Sequence, residues 1–252
     1  MKRIILNITL LLFIVYNIKA QEEKDIILYK NGDILYSSIL TSSDNIKFTK
    51  SESSMVFNHI QNGNVVKQIN VSDIDSICFE PVEESVVING VRWATRNVGT
   101  PGTFAANPED FGEYYQWNRG MTDFLSDDDY INSSYASATS WLPSNDPSPV
   151  GYRVPTLEEM QSLLNTDYVT GELRKRNGVY GFKFTDKASR KSIFLPLAYT
   201  YRETVAVCGC GQYWANSLYY GGCAYTLQWY SYTAWISCST ESWRNVVRPV
   251  AK

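Results

Sequence analysis

The chain has 252 residues, 44% of them hydrophobic, with 23 basic and 26 acidic side chains, one histidine and a net charge of −3. An acidic balance argues against nucleic acid or anionic membrane as partner, because both require a basic patch that this chain does not supply. The apolar content is enough for a real core, and the length suits one large domain or two modest ones.

Residues 1–20, MKRIILNITLLLFIVYNIKA, begin with Lys2 and Arg3, continue through a mostly apolar run from Ile4 to Ile18, and end at Ala20. This pattern predicts a secretory signal peptide. The apolar run falls short of the roughly 20 residues of a spanning helix, and no cysteine follows Ala20 to carry a lipid. The expected mature chain is therefore exported to the periplasm, the cell surface or the medium, with no membrane insertion after cleavage. Its 20 basic residues against 26 acids leave a net charge of −6.

Residues 21–84 read as a small β-rich domain and linker. IILYKNGDILYSSIL holds Asn31-Gly32 between two apolar runs, a strong hairpin signal, and Asn62-Gly63-Asn64 supplies a second turn. The domain closes with DIDSICFE, and PVEES (81–85) has the composition of a linker.

Residues 85–252 form the second domain. Its convincing helix starts at RVPTLEE (153–159), where Thr156 caps and Glu159 returns the hydrogen bond, and Leu157, Met160, Leu163 and Leu164 share one face. VVINGVRWATRNV, GFKFTD, SIFLPLAYTY and WRNVVRPV read as strands, with irregular chain between residues 100 and 150. The expected class is α+β.

Chemistry-bearing patterns are sparse. The acidic run Ser126-Asp127-Asp128-Asp129 lacks the glycine and terminal glutamate of a calcium loop and reads as a solvated loop. Cys78, Cys208, Cys210, Cys223 and Cys238 form no CxxC pair, His59 lies far from four of them, and Cys208-Gly-Cys210 is tight for a mutual bridge. These cysteines read as structural or incidental. No GxSxG, P-loop or HExxH pattern occurs. The expectation is a non-enzyme without metal or cofactor.

The informative stretch is the C-terminal one. Residues 205–243 carry ten tyrosines and tryptophans and no phenylalanine, although packing alone would not avoid Phe. Rings with a polar handle suit a contact surface, and Tyr with Ser, Gly and Asn is the alphabet of antibody paratopes. Strand alternation along CAYTLQWY turns Tyr225, Leu227 and Trp229 inward and Thr226, Gln228 and Tyr230 outward. With Tyr219, Tyr220 and Tyr232, these outward residues form the candidate ligand-binding face.

Several motifs occur in one order: VINGVRWATRNV (87–98), PGTF (101–104), FGEYYQW (111–117), GYRVPT (151–156), Tyr213-Trp214 and VRPV (247–250). Their succession resembles the Fibrobacter succinogenes major paralogous (FISUMP) domain of secreted bacterial proteins, which is similar to the C-type lectin fold. The resemblance implies a C-type-lectin-like domain over residues 85–252, although Ser148 and Pro249 stand where a typical member has cysteines. The ending Arg248-Pro249-Val250 after AYTLQWY (224–230) also resembles the variable proteins of diversity-generating retroelements. That likeness implies diversified positions at Thr226, Gln228 and Tyr230, and a displayed face that binds a protein or glycan ligand on another cell, phage or host surface. It also implies that Cys223 and Cys238 could arise by diversification. The calcium-dependent sugar triplets of animal C-type lectins are absent, and the active-site cysteines of formylglycine-generating enzymes have no counterpart. Two alternatives stand beside adhesion: a secreted carbohydrate-active or hydrolytic module using Asp127 or Asp129, and a structural subunit of a surface appendage.

Overall fold

The computed structural model describes residues 24–41, 43–50, 54–81, 83–120, 138–202 and 205–252. The expected signal peptide and the acidic run at 126–129 lie outside them. The chain forms two compact units, the first comprising residues up to Glu83 together with Lys175–Gly178, the second Glu84–Arg174 and Val179–Lys252.

In the first unit, β1 (Lys24–Lys30) pairs antiparallel with both β2 (Asp33–Leu40) and β6 (Ser76–Pro81), while β3 (Asn45–Lys50), β4 (Met55–Gln61) and β5 (Asn64–Asn70) form an antiparallel meander. Burial comes in short runs, three consecutive residues on β1 (Ile26 to Leu28) and three on β4 (Phe57 to His59). Ile26, Leu28, Leu40, Ile46, Phe57, Ile74 and Ile77 make the core. Lys175–Gly178 docks through Asn177, whose side chain accepts from Ser37 N at 2.5 Å and donates to Ser37 O at 3.0 Å.

The second unit contains β7 (Ser85–Ile88), β8 (Val91–Ala94), β9 (Tyr115–Gln116), β10 (Tyr152–Arg153), α1 (Leu157–Ser162), β11 (Val169–Arg176, whose last two residues belong to the first unit), β12 (Val179–Asp186) and β13 (Ser192–Pro196). It continues with β14 (Thr200–Arg202), β15 (Val205–Cys208), β16 (Gly211–Tyr220), β17 (Cys223–Tyr230), β18 (Thr233–Thr240), β19 (Arg244–Asn245) and β20 (Val250–Ala251). The strands assemble in the orders β10-β20-β8-β7, β15-β14-β19-β9 and β16-β17-β18.

The α+β expectation is overturned. Among the described residues the only α-helix is the six-residue α1, and the protein is a β-rich fold. Only residues 157–164 carry an apolar repeat of helical period; elsewhere short β-branched and aromatic segments, punctuated by Gly and Pro, favour strands. With one short helix among the described residues there is no helical layer to set against the sheets, and the class is β-rich.

Local signals fare better. All four Asn-Gly pairs, at 31–32, 62–63, 89–90 and 177–178, adopt left-handed backbone at both residues and join consecutive strands as two-residue turns. That geometry matches the twist of the flanking strands, and Asn and Gly tolerate positive φ best. The capping box at α1 is complete: Thr156 Oγ1 accepts from Glu159 N at 3.2 Å, and Glu159 Oε2 accepts from Thr156 N at 2.8 Å. Arg153 then grips both Glu159 oxygens at 2.7 and 2.8 Å. The Glu159 carboxyl is held below its usual range, its two side-chain partners and the Thr156 amide outweighing a burial penalty that is the largest single influence.

Arg248 is a central tie of the second unit. Fully buried, it donates from Nε to Asn97 Oδ1 at 2.8 Å, from Nη1 to Ala94 O at 3.1 Å and from Nη2 to Phe194 O at 2.9 Å. One side chain thereby binds the chain end to β8 and β13. Gly112 is required nearby: its φ is +72°, and a Cβ there would stand 2.1 Å from the Val98 carbonyl oxygen.

Candidate functional site

Strand β17 is the middle strand of its sheet and is covered on both sides over most of its length. Leu227 and Trp229 join one apolar cluster with Trp93, Phe182, Tyr213 and Val250, and Tyr225 packs against the same cluster. On the opposite side Ala224 belongs to a second cluster, with Tyr115, Trp117, Trp141 and Trp214. A strand walled on both faces cannot turn every alternate residue to water.

Thr226 therefore does not face outward, and its place in the candidate face is corrected. It is 0% exposed, and its hydroxyl accepts from Gln212 Nε2 at 3.0 Å. Gln212 also donates weakly to Cys238 O at 3.4 Å, while its Oε1 takes a short hydrogen bond from the Thr200 hydroxyl. Thr200 Oγ1 also lies 2.6 Å from Asn245 Oδ1. A single hydroxyl hydrogen serves only one of those oxygens. With the Asn245 amide turned over, its Nδ2, otherwise without a partner, donates to Thr200 Oγ1 and both needs are met. This buried network joins β14, β16, β17 and β19, which explains the polar side of the strand without a ligand.

The remaining candidates divide into two groups. Tyr219 and Tyr220 lie at the β16–β17 turn, whereas Gln228, Tyr230 and Tyr232 lie toward the β17–β18 turn. At about 3.4 Å per residue, the eight residues of β17 hold the two groups roughly 24 Å apart. Tyr220 is 83% exposed, and Tyr219 meets Tyr225 edge-on with ring centroids 5.2 Å apart. Gln228 is half-buried and points Nε2 at Cys210 Sγ, 2.7 Å away.

At the second turn Tyr230 is 62% exposed and Tyr232 82%. Alternation missed a companion, Trp235, which is 37% exposed. The register sets Gln228 opposite Trp235 and Tyr230 opposite Thr233, so Tyr230 and Trp235 are diagonal neighbours on one face. The signal lay in the turn. With Ser231 in left-handed backbone and Tyr232 beside it as the two turn residues, the parity of β18 follows.

The cysteines are now placed. Cys210 is disulfide-bonded, whereas Cys78, Cys223 and Cys238 are thiols. His59 belongs to the first unit, where its Nδ1 lies 2.7 Å from the hydroxyl of half-buried Tyr36 and its Nε2 3.8 Å from Oδ2 of buried Asp44. Among the described residues no group of three His, Cys, Asp or Glu is placed to hold a metal ion, and no helix is long and apolar enough to cross a membrane.

Comparison with protein-family models, with curated proteins and with solved structures finds no match. The class that the structure defines is a two-unit β-rich protein whose second unit exposes large rings at both turns of a three-stranded antiparallel sheet.

Proposed function

We propose that the second unit is a ligand-binding module of an exported protein, and that its contact patch is the β17–β18 turn with Gln228, Tyr230, Tyr232 and Trp235. The observation that carries this reading is the exposure of Tyr230, Tyr232 and Trp235 beside a strand whose next ring, Trp229, is completely buried. Large exposed rings lose contact with water at little rotamer cost when a partner covers them, and their hydroxyl and indole groups keep a hydrogen-bonding handle. The sheet beneath holds them in place, which lowers the ordering cost of binding.

The ligand class in this reading is a protein or glycan on another surface. The likeness to retroelement-diversified proteins fits the patch at Gln228 and Tyr230, where substitution would alter the surface, but not at buried Thr226. Rewriting confined to codons 228–235, with codon 226 constant, is what this reading expects of a downstream near-copy of the coding DNA.

The direct experiment replaces Tyr230 and Tyr232 with Ala together and screens wild type and variant against an array of glycans and surface proteins. Binding present in the wild type is lost in the variant, while the melting temperature stays within a degree or two. A large fall in melting temperature would make the two rings structural and sink the reading.

A further inference from the structure

Cys223 and Cys238 stand on adjacent strands. The register pairs Cys223 with Thr240 and Tyr225 with Cys238, which puts both cysteines on one side of the sheet, offset by two residues along the strands. Cys238, Thr240 and the Glu241 carboxylate are the side chains that act on the Cys223 thiol, and Tyr225 lies directly across from Cys238. Both are half-buried, so a small oxidant can approach them, and both are reduced. Diagonal placement spreads the backbones wider than a directly opposed pair, and a bond closed across it carries strain that makes it easier to reduce.

We propose that Cys223 and Cys238 form a cross-strand dithiol that closes reversibly to a disulfide by exchange with a small disulfide such as oxidised glutathione. One thiolate attacks the glutathione disulfide, forming a mixed disulfide and releasing one glutathione thiolate. The second cysteine's thiolate then attacks the protein sulfur of that mixed disulfide and releases the other glutathione. Two protein thiols lose two protons and two electrons in all, and one glutathione disulfide becomes two glutathione thiols. Burial, and after it the neighbouring Cys238, raise the Cys223 thiol above its ordinary value, so closure accelerates as the pH rises above neutral. An exported chain meets the oxidising conditions this exchange needs. The closed bond staples β17 to β18 at the end remote from Tyr230.

The test equilibrates the full chain in glutathione buffers from fully reduced to fully oxidised, quenches with acid, alkylates and maps the peptides by mass spectrometry. The expected result is a peptide pair joined between Cys223 and Cys238, lighter by two hydrogens and reopened by reduced glutathione. In Cys238→Ser the reaction stops at a glutathione adduct on Cys223. Wild-type protein that carries separate glutathiones on both cysteines, or keeps both alkylatable at every ratio, overturns the proposal.

Discussion

Gln212 on β16 donates its side-chain amide to the hydroxyl of Thr226 on β17 across 3.0 Å, at a place where both residues are buried. This bond makes a residue that looks outward in the strand pattern a part of the interior. Thr226→Val keeps the shape and removes the acceptor, leaving Gln212 Nε2 with only the long contact to Cys238 O. The expected loss is about 1–3 kcal/mol of unfolding free energy, the cost of an unsatisfied buried donor. Urea denaturation measures it, and ligand binding by the β17–β18 turn should not change.

The turn at the other end of β17 separates a packed ring from an unpacked one. Tyr219 leans edge-on against Tyr225, whereas Tyr220 is almost fully exposed. Tyr219→Ala should cost about 0.5–1.5 kcal/mol for the lost aromatic pair, and Tyr220→Ala should fall within about 0.5 kcal/mol of wild type. Equal effects in denaturation would mean that the two rings are not distinguished by packing.

Arg248 supplies the sharpest test of the interior. Lys cannot reproduce a planar fork directed at Asn97 Oδ1, Ala94 O and Phe194 O. Arg248→Lys leaves acceptors unmet around a compact buried charge and should destabilise the second unit by about 3 kcal/mol or more. Loss of amide-exchange protection in β8 and β13 locates the damage.

His59 gives the first unit a dependence on pH. Burial is the largest influence on its imidazole and lowers its pKa below the ordinary 6.5, against the opposing pull of Asp44. An unfolded chain therefore takes up a proton near pH 6.5 that the folded unit accepts only at lower pH. This contribution to stability is complete above that value and is lost as the pH falls from 6.5 toward the folded pKa. Exchange protection of the β3–β5 amides should weaken between pH 7 and pH 5, and His59→Gln should flatten that part of the slope.

Local chemistry alone determined the parts of this protein that need no distant partner. Asn31-Gly32, Asn62-Gly63, Asn89-Gly90 and Asn177-Gly178 select their turns because few other pairs accept positive φ twice, and Thr156 with Glu159 starts the helix because a cap is satisfied within one turn. Alternation likewise told Leu227 from Gln228, since parity is a property of the extended backbone. It could not say which side was wet. Thr200 and Asn245, 26 residues before and 19 after Thr226, come together with Gln212 to close over its hydroxyl, and no period-two pattern carries that information. The exposed rings emerge only where that cover ends, so the tertiary structure decided which rings stay packed and left Tyr230, Tyr232 and Trp235 exposed.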